Sequence, residues 1–205
     1  MKIGFMGVQG TGKSTIVNKL VEEGFCSSDQ VAPSIGRTMK EKGFPINESG
    51  NDETQLLALQ ITCNQMYEPY NIYPRTFLDG LVYSKYLFEK GQVAESVLKS
   101  WEDLTARHMK DFDVLFYIKP EFDLVADGDR SMNVEFRDRA AEIMDEYINK
   151  FGWKYIQLTG DVESRMATVH KSLGTHARSP SRWGRTGGST RRGRSDPAPA
   201  CGHRR

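Results

Sequence analysis

Gly7-Val8-Gln9-Gly10-Thr11-Gly12-Lys13-Ser14 fits the pattern G-x-x-x-x-G-K-[ST] at every fixed position. Its surroundings match what the mechanism requires. The apolar stretch Lys2 to Met6 precedes it and reads as a buried strand. Lys13 to Glu23 follows it with helical periodicity and stops at Gly24. Glycines let such a loop curl so that successive backbone N–H groups face phosphate oxygens. The start of the helix adds the positive end of its dipole. The reading assigns Gly7, Gln9, Gly10, Thr11, Gly12, Lys13 and Ser14 to a triphosphate-binding loop. Lys13 is expected to reach the β- and γ-phosphates, the Ser14 hydroxyl to ligate Mg²⁺, and Thr15 to add an α-phosphate contact. A triphosphate loop does not say what is done with the triphosphate.

Outward from this loop, apolar strands alternate with amphipathic helices, the signature of an α/β protein. Helices are expected over 34–42, 52–67, 78–89, 93–108, 134–150 and 161–173. Strands are expected over 25–28, 71–77, 113–118 and 154–158, with Pro74 weakening the second. The expected fold is a three-layer P-loop sandwich with a parallel sheet of about five strands.

The 205 residues suit one domain, and 38% apolar residues suffice for a core. No apolar run approaches the roughly 18 residues of a membrane span. Cys26, Cys63 and Cys201 lack metal-ligand spacing and read as reduced thiols of a cytoplasmic protein. The net charge of +1 conceals an asymmetry. Residues 177–205 carry eight arginines, no lysine and one acid, Asp196, while residues 1–176 carry 20 basic and 26 acidic residues. The domain is expected over 1–175, with 176–205 a disordered basic tail. That tail reads either as a nucleic-acid-binding arm or as a readthrough or frameshifted end.

Three polar clusters follow strands. They are Pro33-Ser34-Ile35-Gly36-Arg37, Pro74 to Tyr83, and Asp127-Gly128-Asp129-Arg130 with Arg137 and Arg139 beyond it. With the loop, they resemble the small P-loop kinases of the nucleoside and nucleotide kinase group. The chain is most similar to the phage-type ATPase family related to the ribosylnicotinamide kinase domain. Arg75, Thr76, Asp79 and Tyr83 match that family's D-R-[ST]-x-x-D-x-x-x-Y segment. Ile118-Lys119-Pro120 and Asp127-Gly128-Asp129-Arg130 match its D-G-x-R lid, placed around 125–139. Gly43 to Glu48 and Thr54 to Leu57 also resemble it.

The resemblance implies a phosphotransferase using ATP and Mg²⁺. Its acceptor would be a nucleoside-like small molecule or a modified base, such as a hydroxymethylated pyrimidine, within phage DNA. It implies catalytic roles for Lys13, Arg130 and Asp79, and acceptor contacts for Arg37, Arg75 and Tyr83. Two positions depart from the pattern: Pro74 stands where an acid is expected, and Ser34 where a Glu is common. Asp79 is then the candidate acceptor-activating base. Alternatively it complements a helix dipole, Arg130 pairs with a neighbouring Asp, and Arg37 and Arg75 cap helices or pair with acids. Two other functions stay open. An AAA-type NTPase needs an apolar strand ending in Asp-Glu and a C-terminal helical domain. A nucleotide-binding protein without transfer activity needs neither.

Overall fold

The structure, a computed structural model, describes residues 1–121 and 133–177, the last three by backbone alone. The elements in chain order are β1 (Ile3–Met6), α1 (Lys13–Glu22), α2 (Ile35–Glu41), α3 (Asp52–Gln65), β2 (Ile72–Tyr73), α4 (Phe77–Glu89) and α5 (Glu95–His108). Then follow β3 (Val114–Tyr117), α6 (Val134–Phe151), β4 (Ile156–Gln157) and α7 (Val162–Ala177). The sheet is parallel in the order β2-β1-β3-β4. Ile3 sits opposite both Ile72 and Val114, and Phe116 opposite Ile156.

Successive strand side chains point to opposite faces, and here both faces are covered. Ile3, Phe5, Val114 and Phe116 pack with Ile16, Leu20, Met166 and Val169 of α1 and α7. Met6, Tyr73, Leu115 and Tyr117 pack on the other side with α4, α5 and α6. These are the two outer layers of the expected sandwich. Full burial of Phe5 or Phe116 stabilises by about 2–3 kcal/mol each.

Among the described residues the sheet has four strands where about five were expected, and the difference lies at one edge. Residues 25–28 do not form a strand. Ser28–Gln30 is instead a 3-10 turn closed by a reciprocal Ser27–Gln30 cap. Only Val31 reaches the sheet, as a single parallel bridge to Ile72. The strand expected over 71–77 shrinks to Ile72 and Tyr73, because Pro74 has no N–H to continue the ladder. At the C-terminal end α7 continues to Ala177, past the expected domain boundary at 175. The tail from 178 and the Asp127 to Arg130 stretch lie outside the described residues. Among the described residues, no helix is long and apolar enough to cross a membrane.

Candidate functional site

The turn between β1 and α1 has the backbone that its glycines imply. Gly7 has φ +148°, and a Cβ there would lie 2.4 Å from the Ile118 carbonyl oxygen. The loop therefore lies directly against the end of β3, an approach open only to glycine. Gln9, Gly10, Thr11, Gly12, Lys13 and Ser14 line a cleft of about 310 Å³. Ser14 and Thr15 are exposed, and Thr15 lies outside the cleft lining. Gly7 is buried beneath the loop. Lys13 is only 6% exposed, and its ammonium donates to the carbonyls of Gly7 and Val8.

Asp79 comes to this lysine from α4. Thr76 and Asp79 form a reciprocal cap at the start of that helix. Asp79 Oδ2 accepts from the Thr76 N–H at 2.9 Å and from its hydroxyl at 3.1 Å. The capping role therefore occupies one oxygen. The other, Oδ1, is buried and accepts no hydrogen bond. It lies 3.7 Å from Lys13 Nζ and 3.6 Å from Arg75 Nη1. Arg75 in turn donates to the Tyr83 hydroxyl at 3.1 Å, with its guanidinium 5.4 Å from that ring's centroid. Lys13, Asp79, Arg75 and Tyr83 thus form one chain of contacts.

A second cavity, about 80 Å³, adjoins the cleft; both are lined by Arg75, Asn47, Ile46, Gly36 and Ile35. Thr76, Asp79, Tyr83, Gln55 and Trp101 also line the second cavity. Trp101 is fully buried and donates its indole N–H to the Gln55 carbonyl at 3.2 Å. Its ring rests on Gly80, where a Cβ would fall 2.1 Å from it. The Gln55 side-chain oxygen accepts from the Ser84 hydroxyl at 2.7 Å. Asn47, at the junction, has φ +56°, left-handed backbone that Asn tolerates better than most non-glycine residues.

Arg37 also lines the larger cleft, on the exposed face of α2. Arg130 lies outside the described residues. The two departures from the kinase pattern have local explanations. Ser34 caps α2, accepting from the Arg37 backbone N–H at 3.5 Å, and Pro74 ends β2. Arg139 binds Glu89, Glu142 and Glu146 on the surface, away from the loop.

Arg165 on α7 was not singled out in the sequence. It is 3% exposed and donates to the Thr11 carbonyl at 2.7 Å and to Glu121 at 3.0 Å. Its signal was available: it occupies the apolar stripe with Met166, Val169 and Leu173, where a charge needs a buried partner.

Comparison with solved structures supports the fold. Deoxyadenosine kinase from M. mycoides, with dCMP and dCDP bound, superposes with a TM-score of 0.60 at 16% identity, covering 86% of this chain and all of that one. NadR protein in complex with NR superposes with a TM-score of 0.66 at 18% identity, over 84% of this chain and 51% of that one. Thymidylate kinase from Candida albicans gives 0.56 at 15% identity, over 85% and 91%. No curated protein sequence matches the chain. Residues 2–165 match the AAA domain family. The chain therefore belongs to the AAA domain family, and within it has the fold of a small P-loop nucleoside or nucleotide kinase.

Proposed function

We propose that the protein is an ATP-dependent phosphotransferase that moves the γ-phosphate to a hydroxyl or phosphate of a nucleoside-type acceptor. The observation that carries this reading is the pair of abutting cavities with Lys13, Asp79 and Arg75 at their boundary. Phosphoryl transfer needs two substrates in line and cations around the moving group, more than covalent chemistry. A triphosphate on the loop and an acceptor against Tyr83, Gln55 and Trp101 would meet there.

In this reading the loop N–H groups and Lys13 hold the triphosphate, and Arg37 and Arg75 hold acceptor oxygens. Tyr83 offers an aromatic face to a base. Asp79 Oδ1, with no hydrogen bond of its own, orients the acceptor hydroxyl and receives its proton. The acceptor oxygen bonds to Pγ as the bond from Pγ to the ADP oxygen breaks. Arg130 is assigned to the charge that develops on the transferred group. Mg²⁺ fits the donors present, because it takes few protein oxygens beside phosphates and water, and the Ser14 hydroxyl is exposed at the cleft. The two cations beside Asp79 make that carboxylate a poor metal ligand. When bound, the ion supplies charge neutralisation on the phosphates.

The AAA domain assignment favours a second reading, an NTPase that transfers to water. Against it, β3 runs into Ile118-Lys119-Pro120 and supplies no acidic pair at its end. One assay separates the readings. Labelled ATP with Mg²⁺ is incubated with nucleosides, nucleoside monophosphates and DNA containing hydroxymethylated pyrimidines. Label in an acceptor supports the kinase and identifies its class. Free phosphate independent of any acceptor overturns it in favour of the NTPase. Binding without turnover leaves a nucleotide-binding protein.

A further inference from the structure

Arg165 is a charge buried to 3% exposure on a helix that otherwise buries apolar residues. It starts from the first turn of α7, where its backbone N–H bonds Asp161, and is buried among the apolar residues of the α1–α7 face. A guanidinium in such a place needs partners that use its planar fork. One arm meets Glu121 Oε2 at 3.0 Å, and that oxygen also accepts the Gly160 N–H at 2.9 Å. The other arm meets the carbonyl oxygen of Thr11, inside the P-loop, at 2.7 Å. A Cβ on Gly12 would lie 3.2 Å from that same nitrogen, so α7 and the loop are in close contact at this peptide.

In a planar trans peptide the C=O and the next N–H point in opposite directions. Drawing the Thr11 carbonyl toward α7 turns the Gly12 N–H away from α7, to the side of the loop that lines the cleft. A peptide unit free to rotate would present that N–H only part of the time.

We infer that Arg165 is a positioning residue for the donor triphosphate: it fixes the Thr11–Gly12 peptide so that the Gly12 N–H faces the phosphates. Glu121 supports it by holding the guanidinium, through a contact that also ties the end of β3 to the β4–α7 turn. The inference rests on the reading of the loop as a triphosphate site, and not on the identity of any acceptor.

The test measures binding of inorganic tripolyphosphate and of ATP with Mg²⁺ to the full chain. Variants are Arg165→Met, Arg165→Lys and Glu121→Gln. Thermal melts without ligand establish that each is folded. Arg165→Met removes a charge-assisted hydrogen bond and is expected to weaken both ligands by the same factor, about tenfold or more. Arg165→Lys keeps the charge but not the fork and falls between wild type and Met. Glu121→Gln, which keeps an oxygen toward Arg165, stays within about threefold of wild type. Equal loss for both ligands places the effect at the phosphates, which a role confined to docking α7 would not produce. If Arg165→Met does not fold, Arg165→Lys decides the matter. Tripolyphosphate binding within twofold of wild type in a folded Arg165 variant overturns the inference. A wild-type protein that binds tripolyphosphate but phosphorylates no acceptor overturns the kinase reading alone.

Discussion

Replacing Asp79 by Asn tests the centre of the proposed site, because the side chain keeps its shape while the charge is lost and one acceptor oxygen becomes a donating NH₂. Asp79 is 2% exposed, with Lys13 at 3.7 Å and Arg75 at 3.6 Å from the same oxygen. At an effective dielectric constant near 20, each contact has a Coulomb attraction of about 4–5 kcal/mol, much of it offset by desolvation. Removing one partner of a buried pair typically costs about 3–5 kcal/mol. Here both cations keep other partners, Lys13 on the Gly7 and Val8 carbonyls and Arg75 on Tyr83. The Asn carbonyl can still accept the Thr76 N–H. The expected loss therefore sits at the low end, about 3 kcal/mol, read from urea melts at neutral pH. The effect on turnover is larger in kind. If Oδ1 orients and deprotonates the acceptor, Asp79→Asn lowers kcat by roughly 10²–10⁴. ATP affinity should hold or rise, because Lys13 loses a competitor for the phosphates. A folded Asp79→Asn protein with wild-type kcat refutes the assignment of the base. A stability loss under about 1 kcal/mol refutes the electrostatic account of the cluster.

Lys13→Ala should abolish transfer and weaken ATP binding while far-ultraviolet circular dichroism is unchanged; full activity would sink the loop assignment. Gly80→Ala would gain up to about 1 kcal/mol of helix propensity. The Cβ would fall 2.1 Å from Trp101, so a net destabilisation of about 2–3 kcal/mol is expected, with raised acceptor KM; a rise in Tm would contradict the packing. Burial, with a smaller contribution from Tyr70, pushes the Tyr73 hydroxyl up to about 12 from a usual value of 10. The folded state therefore keeps a proton that the unfolded chain releases. Stability is intact below pH 10 and falls as pH rises toward 12, by about 3 kcal/mol from this group. Burial moves Tyr117 and Tyr147 in the same direction, so Tyr73→Phe should make the alkaline loss shallower without removing it. An unchanged profile would show that Tyr73 is not a source of it.

Features set by neighbours in the chain were legible in the sequence, and contacts between distant residues were not. The P-loop is eight consecutive residues between a strand and a helix, and its backbone follows from its own glycines and neighbours. The Thr76–Asp79 cap is likewise local, and so are most helix ends. The end of α3 shows the opposite case: the helix expected to run to 67 stops at Gln65, and Tyr67 beyond it is 81% exposed, outside the packing. The edge strand failed for a similar reason. Its apolar residues fit a strand, but the Ser27–Gln30 cap offered the backbone a local alternative, and one bridge at Val31 was all that reached the sheet.

By itself, then, the sequence determined the P-loop, the α/β alternation and the layers that cover a buried parallel sheet, because these depend on neighbours in the chain. Only the tertiary structure decided that Asp79 stands beside Lys13, that Gly80 makes room for Trp101, and that Arg165 reaches the Thr11 carbonyl across 154 residues. Those contacts arise where α4, α5 and α7 pack against the sheet. Packing brings together residues that no local pattern links, and the proposed chemistry depends on such a meeting.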